Sequence, residues 1–225
     1  MGNYTQIMSR GIHVTGTQEV VAKHGVKSEI AYQMRKTLKE LAFDCEKALL
    51  EQDAMVAGNM STERQFGGLP YWIITHALDN GGAARPLTFD LLNDALEETW
   101  ESGGNPKVLL VSPRNKRVVS TFTAGHTKTM DGNKTRKLTQ MIDIIETDFG
   151  VVQCMTDRFM PNDRVYGLSL EYMKKAMLRP FKTVDLPKIS DMERRNVFGE
   201  WTLEMRAEKA HFVIKDLDGI VPATA

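Results

Sequence analysis

The sequence has very few cysteines and no long apolar run. Its 225 residues include only Cys45 and Cys154, which lie far apart and form no CxxC pair, so a disulfide framework and a zinc knuckle are excluded. The longest apolar runs, such as Val108 to Val111, are about four residues, whereas a bilayer-spanning helix needs roughly 20. The first residues lack the basic and apolar stretches of a secretory signal. We therefore expect two free thiols, a reducing place of synthesis and no membrane partner.

The sequence also lacks an excess of either charge. Lys plus Arg number 29 and Asp plus Glu number 29, in a chain that is 42% hydrophobic. Zero net charge argues against general binding to nucleic acid or to anionic membranes, because proteins usually bind such partners through an excess of basic residues. The composition does not exclude a local basic patch. The composition is typical of a soluble globular protein with one large domain or two small ones.

Motifs for catalysis and for metal or phosphate binding are absent. Asp148-Phe149-Gly150 matches the magnesium-binding tripeptide of kinases, but no Gly-rich loop, strand lysine or HRD loop accompanies it, so a turn is the better interpretation. The five histidines show no HxxxH or HxH spacing, and GxSxG and Walker A patterns are missing. The sequence therefore predicts no catalytic residue, no metal site and no cofactor, and it favours a protein that acts through shape and contact.

A long amphipathic helix is the strongest positive signal. Ser28 is its predicted N-cap, and about 23 residues would form a rod of roughly 35 Å. Its apolar stripe consists of Ile30, Met34, Leu38, Leu41, Cys45 and Leu49. Away from that stripe lies a mixed-charge face, usually solvated and less often an intersubunit contact, made by Arg35, Lys36, Lys39, Glu40, Glu46 and Lys47.

The rest of the chain mixes short helices and strands, which is typical of an α+β fold. Residues 4–21 are predicted to be extended, and a helix follows the Thr88 cap with Phe89, Leu92, Leu96 and Trp100 on one face. Further predicted elements are a buried strand at 108–111, a short helix after Pro113, a hairpin at 141–155 and strands at 165–168 and 196–205. Residues 123–137 are predicted to be a polar, basic loop that contains Lys128, Lys134, Arg136 and Lys137.

Several short strings carry a family resemblance. They are Gly2 to Ile7, Gly16 to Glu19, Lys27 to Gln33, Asp44 to Leu50, Gly103 to Lys116, Arg179 to Thr183 and Glu208 to His211. Each string alone is weak. Their ordered set, from Gly2 to about Leu217, resembles the major capsid (major head) proteins of one group of tailed bacteriophages and prophages.

The resemblance implies the Hong Kong 97-type capsid fold, in which a peripheral domain on a long spine helix joins an axial domain with a mixed sheet. The helix at about 28–52 would be the spine. Residues 1–70 would form the return strand of an extended loop, the spine helix and the peripheral domain, residues 71–171 the axial domain, and residues 172–225 the return to the peripheral domain. The implied function is structural and not enzymatic, namely a subunit of an icosahedral head that encloses DNA.

The resemblance also implies partners and a location. The subunit would bind copies of itself in hexamers and pentamers, and also scaffold, maturation protease and portal proteins, with only nonspecific contact between the inner surface and packaged DNA. It would be made in the host cytoplasm and become part of the virion capsid. The candidate intersubunit contacts are the six charged residues of the spine helix and the four basic residues of the 123–137 loop.

The chain departs from the family pattern at its N-terminal side. Family members carry an N-terminal arm and the outgoing half of an extended loop before the Gly-Asn-Tyr-Thr-Gln string, whereas here Met1 directly precedes that string. We therefore expect the strand at 4–21 to lack its hairpin partner and to leave unpaired backbone groups. The alternative function is an accessory or remnant prophage protein that keeps the fold and forms no shells.

Overall fold

The computed structural model describes residues 2–21, 24–122, 144–188 and 190–218. The chain forms two compact units: unit 1 is Met1–Tyr71 with Lys175–Glu204, and unit 2 is Trp72–Lys174 with Met205–Ala225. The helices are α1 (Gly16–Val20), α2 (Glu29–Glu51), α3 (Leu69–Trp72), α4 (Phe89–Glu101) and α5 (Pro113–Thr121). The strands are β1 (Gln6–Thr15), β2 (Ala77–Leu78), β3 (Val108–Val111), β4 (Ile144–Thr147), β5 (Gly150–Thr156), β6 (Val165–Leu168), β7 (Met173–Leu186), β8 (Met192–Met205) and β9 (Phe212–Ile214).

Unit 1 contains a three-stranded sheet in the order β1-β8-β7, with α2 packed on β1. Among the described strands β1 has no hairpin partner, but the expectation of unpaired backbone groups is wrong for the side that faces β8. β1 pairs antiparallel with β8 along its whole length, from Gln6 opposite Trp201 to Thr15 opposite Met192. The extended segment is also shorter than predicted, because residues 16–20 form α1 with Thr15 as the N-cap.

The long helix α2 forms as predicted, although its buried face differs in part. The Ser28 hydroxyl accepts a hydrogen bond from the Ala31 N–H at 3.3 Å, which caps the first turn. Thr37 is buried, whereas Leu38 is 45% exposed and does not belong to the core. A step of four residues turns the helix by about 400°, so residues spaced repeatedly by four, such as Ile30, Met34 and Leu38, move progressively away from the buried side. Thr37 is seven residues after Ile30, close to two full turns, and therefore lies on the same side as Ile30.

Unit 2 is built on a six-stranded mixed sheet in the order β2-β9-β6-β3-β5-β4. The pairs β2–β9 and β3–β5 are parallel and the other pairs are antiparallel. The predicted buried strand, the hairpin of β4 and β5, and the strand at 165–168 are all present, although residues 141–143 of the predicted hairpin lie outside the described residues. α4 and α5 cover one face of this sheet, and their contacts with it form the core of the unit.

The second predicted helix, α4, has the expected ends and only part of the expected buried face. The Thr88 hydroxyl accepts a hydrogen bond from the Leu91 N–H at 3.2 Å, and Gly103 follows the helix with a φ of +82°. Leu92 and Leu96 are buried. Phe89 and Trp100 share the predicted face but are 38% and 58% exposed, because they lie at the two ends of the helix. The Trp100 ring lies at the edge of the core, 6.2 Å from the ring of Phe149.

Candidate intersubunit surfaces

The outward face of α2 combines large apolar side chains with basic ones. We define it by the exposed residues Tyr32, Arg35, Lys36, Lys39 and Phe43, together with Leu38, which is exposed on the flank between this face and the buried one. The three apolar side chains are 43%, 45% and 44% exposed. Large apolar residues that stay accessible and alternate with Arg and Tyr are more typical of a protein contact than of a solvated helix face.

The cations of this face have no acidic partner among the described residues. Arg35, Lys36 and Lys39 take part in no ion pair there, and the Lys36 ammonium lies 5.5 Å from the centre of the Tyr32 ring. Three unpaired positive charges on one helix face repel each other in the isolated chain. A surface that brings carboxylates to this face would relieve that repulsion.

The other three predicted contact residues of α2 make contacts within the chain. Glu40 accepts from Arg10 of β1 at 3.0 Å, and Arg10 also binds Asp44 at 2.9 Å. Lys47 lies 3.7 Å from Glu51 on the next turn of the helix. Glu46 is half-buried. These three residues therefore contribute to the stability of unit 1 more directly than to a free contact surface.

Four further predicted contact residues cannot be placed. Lys128, Lys134, Arg136 and Lys137 lie outside the described residues. Nothing in the fold therefore bears on the prediction that their loop contacts a neighbour.

A carboxylate on β8 holds several parts of unit 1 together. Glu200 is 3% exposed, and it accepts hydrogen bonds from the Thr5 hydroxyl, from Arg64 and from Arg179, the last at 2.8 Å. The Thr5 hydroxyl, followed by the two guanidinium groups, lowers the pKa of Glu200 because these donors favour the ionised carboxylate. The network joins β7, β8, the segment before β1 and the loop after α2.

Cations of β7 lie over aromatic rings of the same sheet. The Lys175 ammonium is 4.8 Å from the ring centre of Trp201, and the Lys182 ammonium is 5.3 Å from that of Phe198. The guanidinium of Arg179 lies 5.7 Å from the same Phe198 ring. These contacts fix the long side chains of an edge strand and keep its surface basic, which discourages pairing with other strand edges.

Buried polar groups in unit 2 serve the fold. His211 is fully buried, its Nδ1 accepts from the Ser169 N–H at 3.0 Å, and burial lowers its pKa to about 4. It is therefore neutral at physiological pH. In the part of the chain that the structure describes, no group of three or more His, Cys, Asp or Glu residues could hold a metal ion. In the same part, no helix is both long and apolar enough to cross a membrane.

The apolar part of the outward face of α2 was not recognised from the sequence. The charge pattern identifies Arg35, Lys36 and Lys39 as contact candidates, whereas the spacing assigns Leu38 to the apolar stripe and does not distinguish Tyr32 or Phe43. A helical projection shows that Tyr32, Lys36, Lys39 and Phe43, at steps of four, three and four, share one side of the helix. That spacing was the available signal.

The sequence matches one family and one curated relative. The model of the SU10 major capsid protein family matches residues 1–218. The major capsid protein of Escherichia phage Phieco32 is 23% identical over 259 residues, which cover 93% of this chain and 72% of that protein.

Solved structures share the fold at low sequence identity. A chain of the cyanophage A-1(L) capsid asymmetric unit has a TM-score of 0.75 at 13% identity, over 94% of this chain and 77% of that one. A chain of the holo-SrpI encapsulin complex from Synechococcus elongatus has a TM-score of 0.69 at 10% identity, over 98% and 77%. Such identities show the fold alone, which is the Hong Kong 97 type. The fold occurs both in phage capsids and in an encapsulin, so the fold by itself does not decide between them.

Proposed function

The chain belongs to the SU10 major capsid protein family, and on that basis we propose that its copies meet in the shell through the outward face of α2. Members of this family are structural capsid proteins and not enzymes. The chain is accordingly a major capsid subunit of a phage, it assembles with copies of itself into a shell, and it is part of the virion. The proposal concerns which surface makes the contact.

The observation that supports this surface is the exposure of Tyr32, Leu38 and Phe43 beside three cations that form no ion pair with the described residues. Each apolar side chain still exposes a little under half of its area. Covering the remainder would stabilise a contact by about 1 kcal/mol per side chain. The cations would lose water in the same contact, so the opposing surface must supply carboxylates. Such charge matching sets register and selects the partner more than it adds affinity.

The finer architecture is also proposed and rests on the family. Copies would form hexamers and pentamers, with unit 1 as the peripheral domain and unit 2 as the axial domain. Synthesis in the bacterial cytoplasm, help from scaffold, protease and portal proteins, and nonspecific contact with packaged DNA belong to the same proposal. A heterologous contact between neighbours, repeated around an axis, closes such rings.

A charge reversal on the outward face tests the proposal. We expect Arg35→Glu combined with Lys39→Glu to reduce shells and capsomers strongly, because the carboxylates of the neighbour would then be repelled. Lys174→Glu combined with Lys209→Glu is the matched control, since it makes the same change in net charge at two exposed sites of unit 2. Light scattering after size-exclusion chromatography and negative-stain microscopy would measure assembly. Unchanged assembly of the α2 variant would contradict the proposal.

A further inference from the structure

Unit 2 carries a row of carboxylates along α4 that form no ion pair with any residue the structure describes. We call the exposed residues Asp90, Asp94, Glu97 and Glu101 the acidic stripe. Their spacing of four, three and four places them on one side of the helix. Among the described residues none of the four takes part in an ion pair, and α4 itself contains no Lys or Arg.

Repulsion within the acidic stripe is unfavourable in the isolated subunit, although Asp90 itself lies in the first turn of α4, where the helix dipole favours an anion. Like charges three or four residues apart on a helix repel each other, and here they do so repeatedly along one side. Glu101 is also the last residue of α4, at the negative end of the helix dipole, where a cation would be favourable and an anion is not. Positive charge from outside the chain would remove both penalties.

A complementary group of cations lies elsewhere on the same unit. We call Arg114, Arg117 and Arg158 the arginine corner; all three are exposed and take part in no ion pair among the described residues. Because β3 and β5 are parallel, the segments that follow them begin at the same edge of the sheet, where Asp157 N–H donates to the Val111 carbonyl at 3.0 Å. Arg114 and Arg117 follow β3, and Arg158 follows β5.

The arginine corner is also unfavourable in the isolated chain. Arg114 is the second residue of α5, at the positive end of that helix dipole, and α5 contains no acidic residue. The neighbouring cation Lys116 reaches back to the Cys154 carbonyl at 3.4 Å and so does not belong to the corner. Carboxylates brought to this helix start would be favourable in the same way as anions at other helix N-termini.

From these two surfaces we infer that neighbouring copies dock with the acidic stripe of one against the arginine corner of the next. This inference rests on the proposed self-assembly. α4 and α5 lie in one helical layer, with the rings of Phe89 and Phe122 5.9 Å apart, yet their charges do not pair within the described part of the chain. Each copy therefore offers one exposed patch of each sign. Two different patches that complement each other make a head-to-tail contact, which is the kind that closes into rings.

Two charge-reversed chains test the inference. The first carries Arg114→Glu and Arg117→Glu, so that both of its surfaces are acidic. The second carries Glu97→Lys and Glu101→Lys, so that its stripe turns basic like its corner. Each variant alone should self-associate at least about tenfold more weakly than the natural chain, because like charges then face each other. An equimolar mixture should recover association into even-membered rings, in which the two variants alternate and each copy again meets a neighbour of opposite charge.

Two controls distinguish the loss of this contact from a change in net charge or a loss of folding. Lys174→Glu combined with Lys209→Glu matches the first variant in net charge and should assemble normally, and thermal unfolding of each chain should confirm that it is folded. The inference is overturned if either variant alone assembles like the natural chain, or if the mixture is no better than its components. It is also overturned if the first variant loses only DNA binding, which would assign the arginine corner to nucleic acid. A natural chain that never assembles would instead contradict the proposed function.

Discussion

Replacing Glu200 by Gln tests how unit 1 is held together. Glu200 lies on β8, the central strand of the unit 1 sheet, with 3% of its surface exposed, and it accepts from Thr5, Arg64 and Arg179. Gln has the same length but no charge, and only one of its two terminal atoms can accept a hydrogen bond. The substitution therefore removes the charge that the two guanidinium groups share, with little change in packing.

The expected loss follows from the partners. Hydrogen bonds to charged groups contribute about 1.5–3 kcal/mol each, and breaking a fully buried pair costs about 3–5 kcal/mol. The side chains of Arg64 and Arg179 are 39% and 48% exposed, so both regain water when the carboxylate is gone. We therefore expect a loss of about 2 kcal/mol in the free energy of unfolding, or about 4–8 °C in Tm for a chain of this size.

The effect should also depend on pH. The pKa of Glu200 is lower in the folded state than in the unfolded one, so its contribution is complete above the unfolded pKa of about 4.3 and is lost as pH falls through the folded value. The difference in Tm between the natural chain and Glu200→Gln should be constant from pH 7 to about 5 and shrink below about 4.

A matched control is available on the same strand. Glu193 of β8 binds Lys188 at 3.4 Å, with side chains that are 37% and 67% exposed. Such a surface pair contributes less than about 1 kcal/mol, so Glu193→Gln should lower Tm only slightly. Thermal unfolding of unassembled subunits measures both variants. An equal, small loss for the two would refute the account of the Glu200 network.

Three other predictions concern unit 2 and use the same unfolding assay. Gly167→Ala should cost about 1–3 kcal/mol, because its methyl group would collide with the buried Phe212 ring; a neutral result would contradict the packing of β6 on β9. Thr88→Ala should cost about 1 kcal/mol through loss of the α4 cap, and Thr88→Ser should restore most of it. The free energy of unfolding should fall as pH drops from about 6.5 toward about 4, because His211 binds a proton at higher pH in the unfolded chain than in the folded one. This dependence on pH should be weaker in His211→Gln, and an unchanged dependence would contradict the assignment of the effect to His211.

Much of the fold was predictable where local signals and burial agree. Ser28 and Thr88 cap their helices as expected, and the short apolar run of β3 is buried in its sheet. The long strand β7 was not predicted from local pattern, since it is an exposed edge strand with almost no buried side chain. The pairing of β1 with β8 joins residues nearly 200 positions apart, and no local pattern encodes such a contact.

The charged residues of the outward face of α2 were predictable from the sequence, whereas its exposed apolar residues were not. Arg35, Lys36 and Lys39 were identified because charges on one face of a helix are visible in the sequence. Leu38 was assigned to the core because its spacing fits an apolar stripe, and only the rotation of that stripe shows that it is exposed. Charges that form no ion pair with the described residues, such as Arg114 and Glu101, could not be recognised from the sequence, since ion pairing depends on the fold.

The most direct test of the central claim is a cryo-electron microscopy reconstruction of the particles that this chain forms. The account predicts closed shells of Hong Kong 97-type subunits in which Tyr32, Leu38 and Phe43 of α2 are covered by a neighbouring copy, with carboxylates of that copy near Arg35 and Lys39. Shells in which the outward face of α2 remains exposed to solvent would contradict the claim. A chain that forms no particles at all would also contradict it.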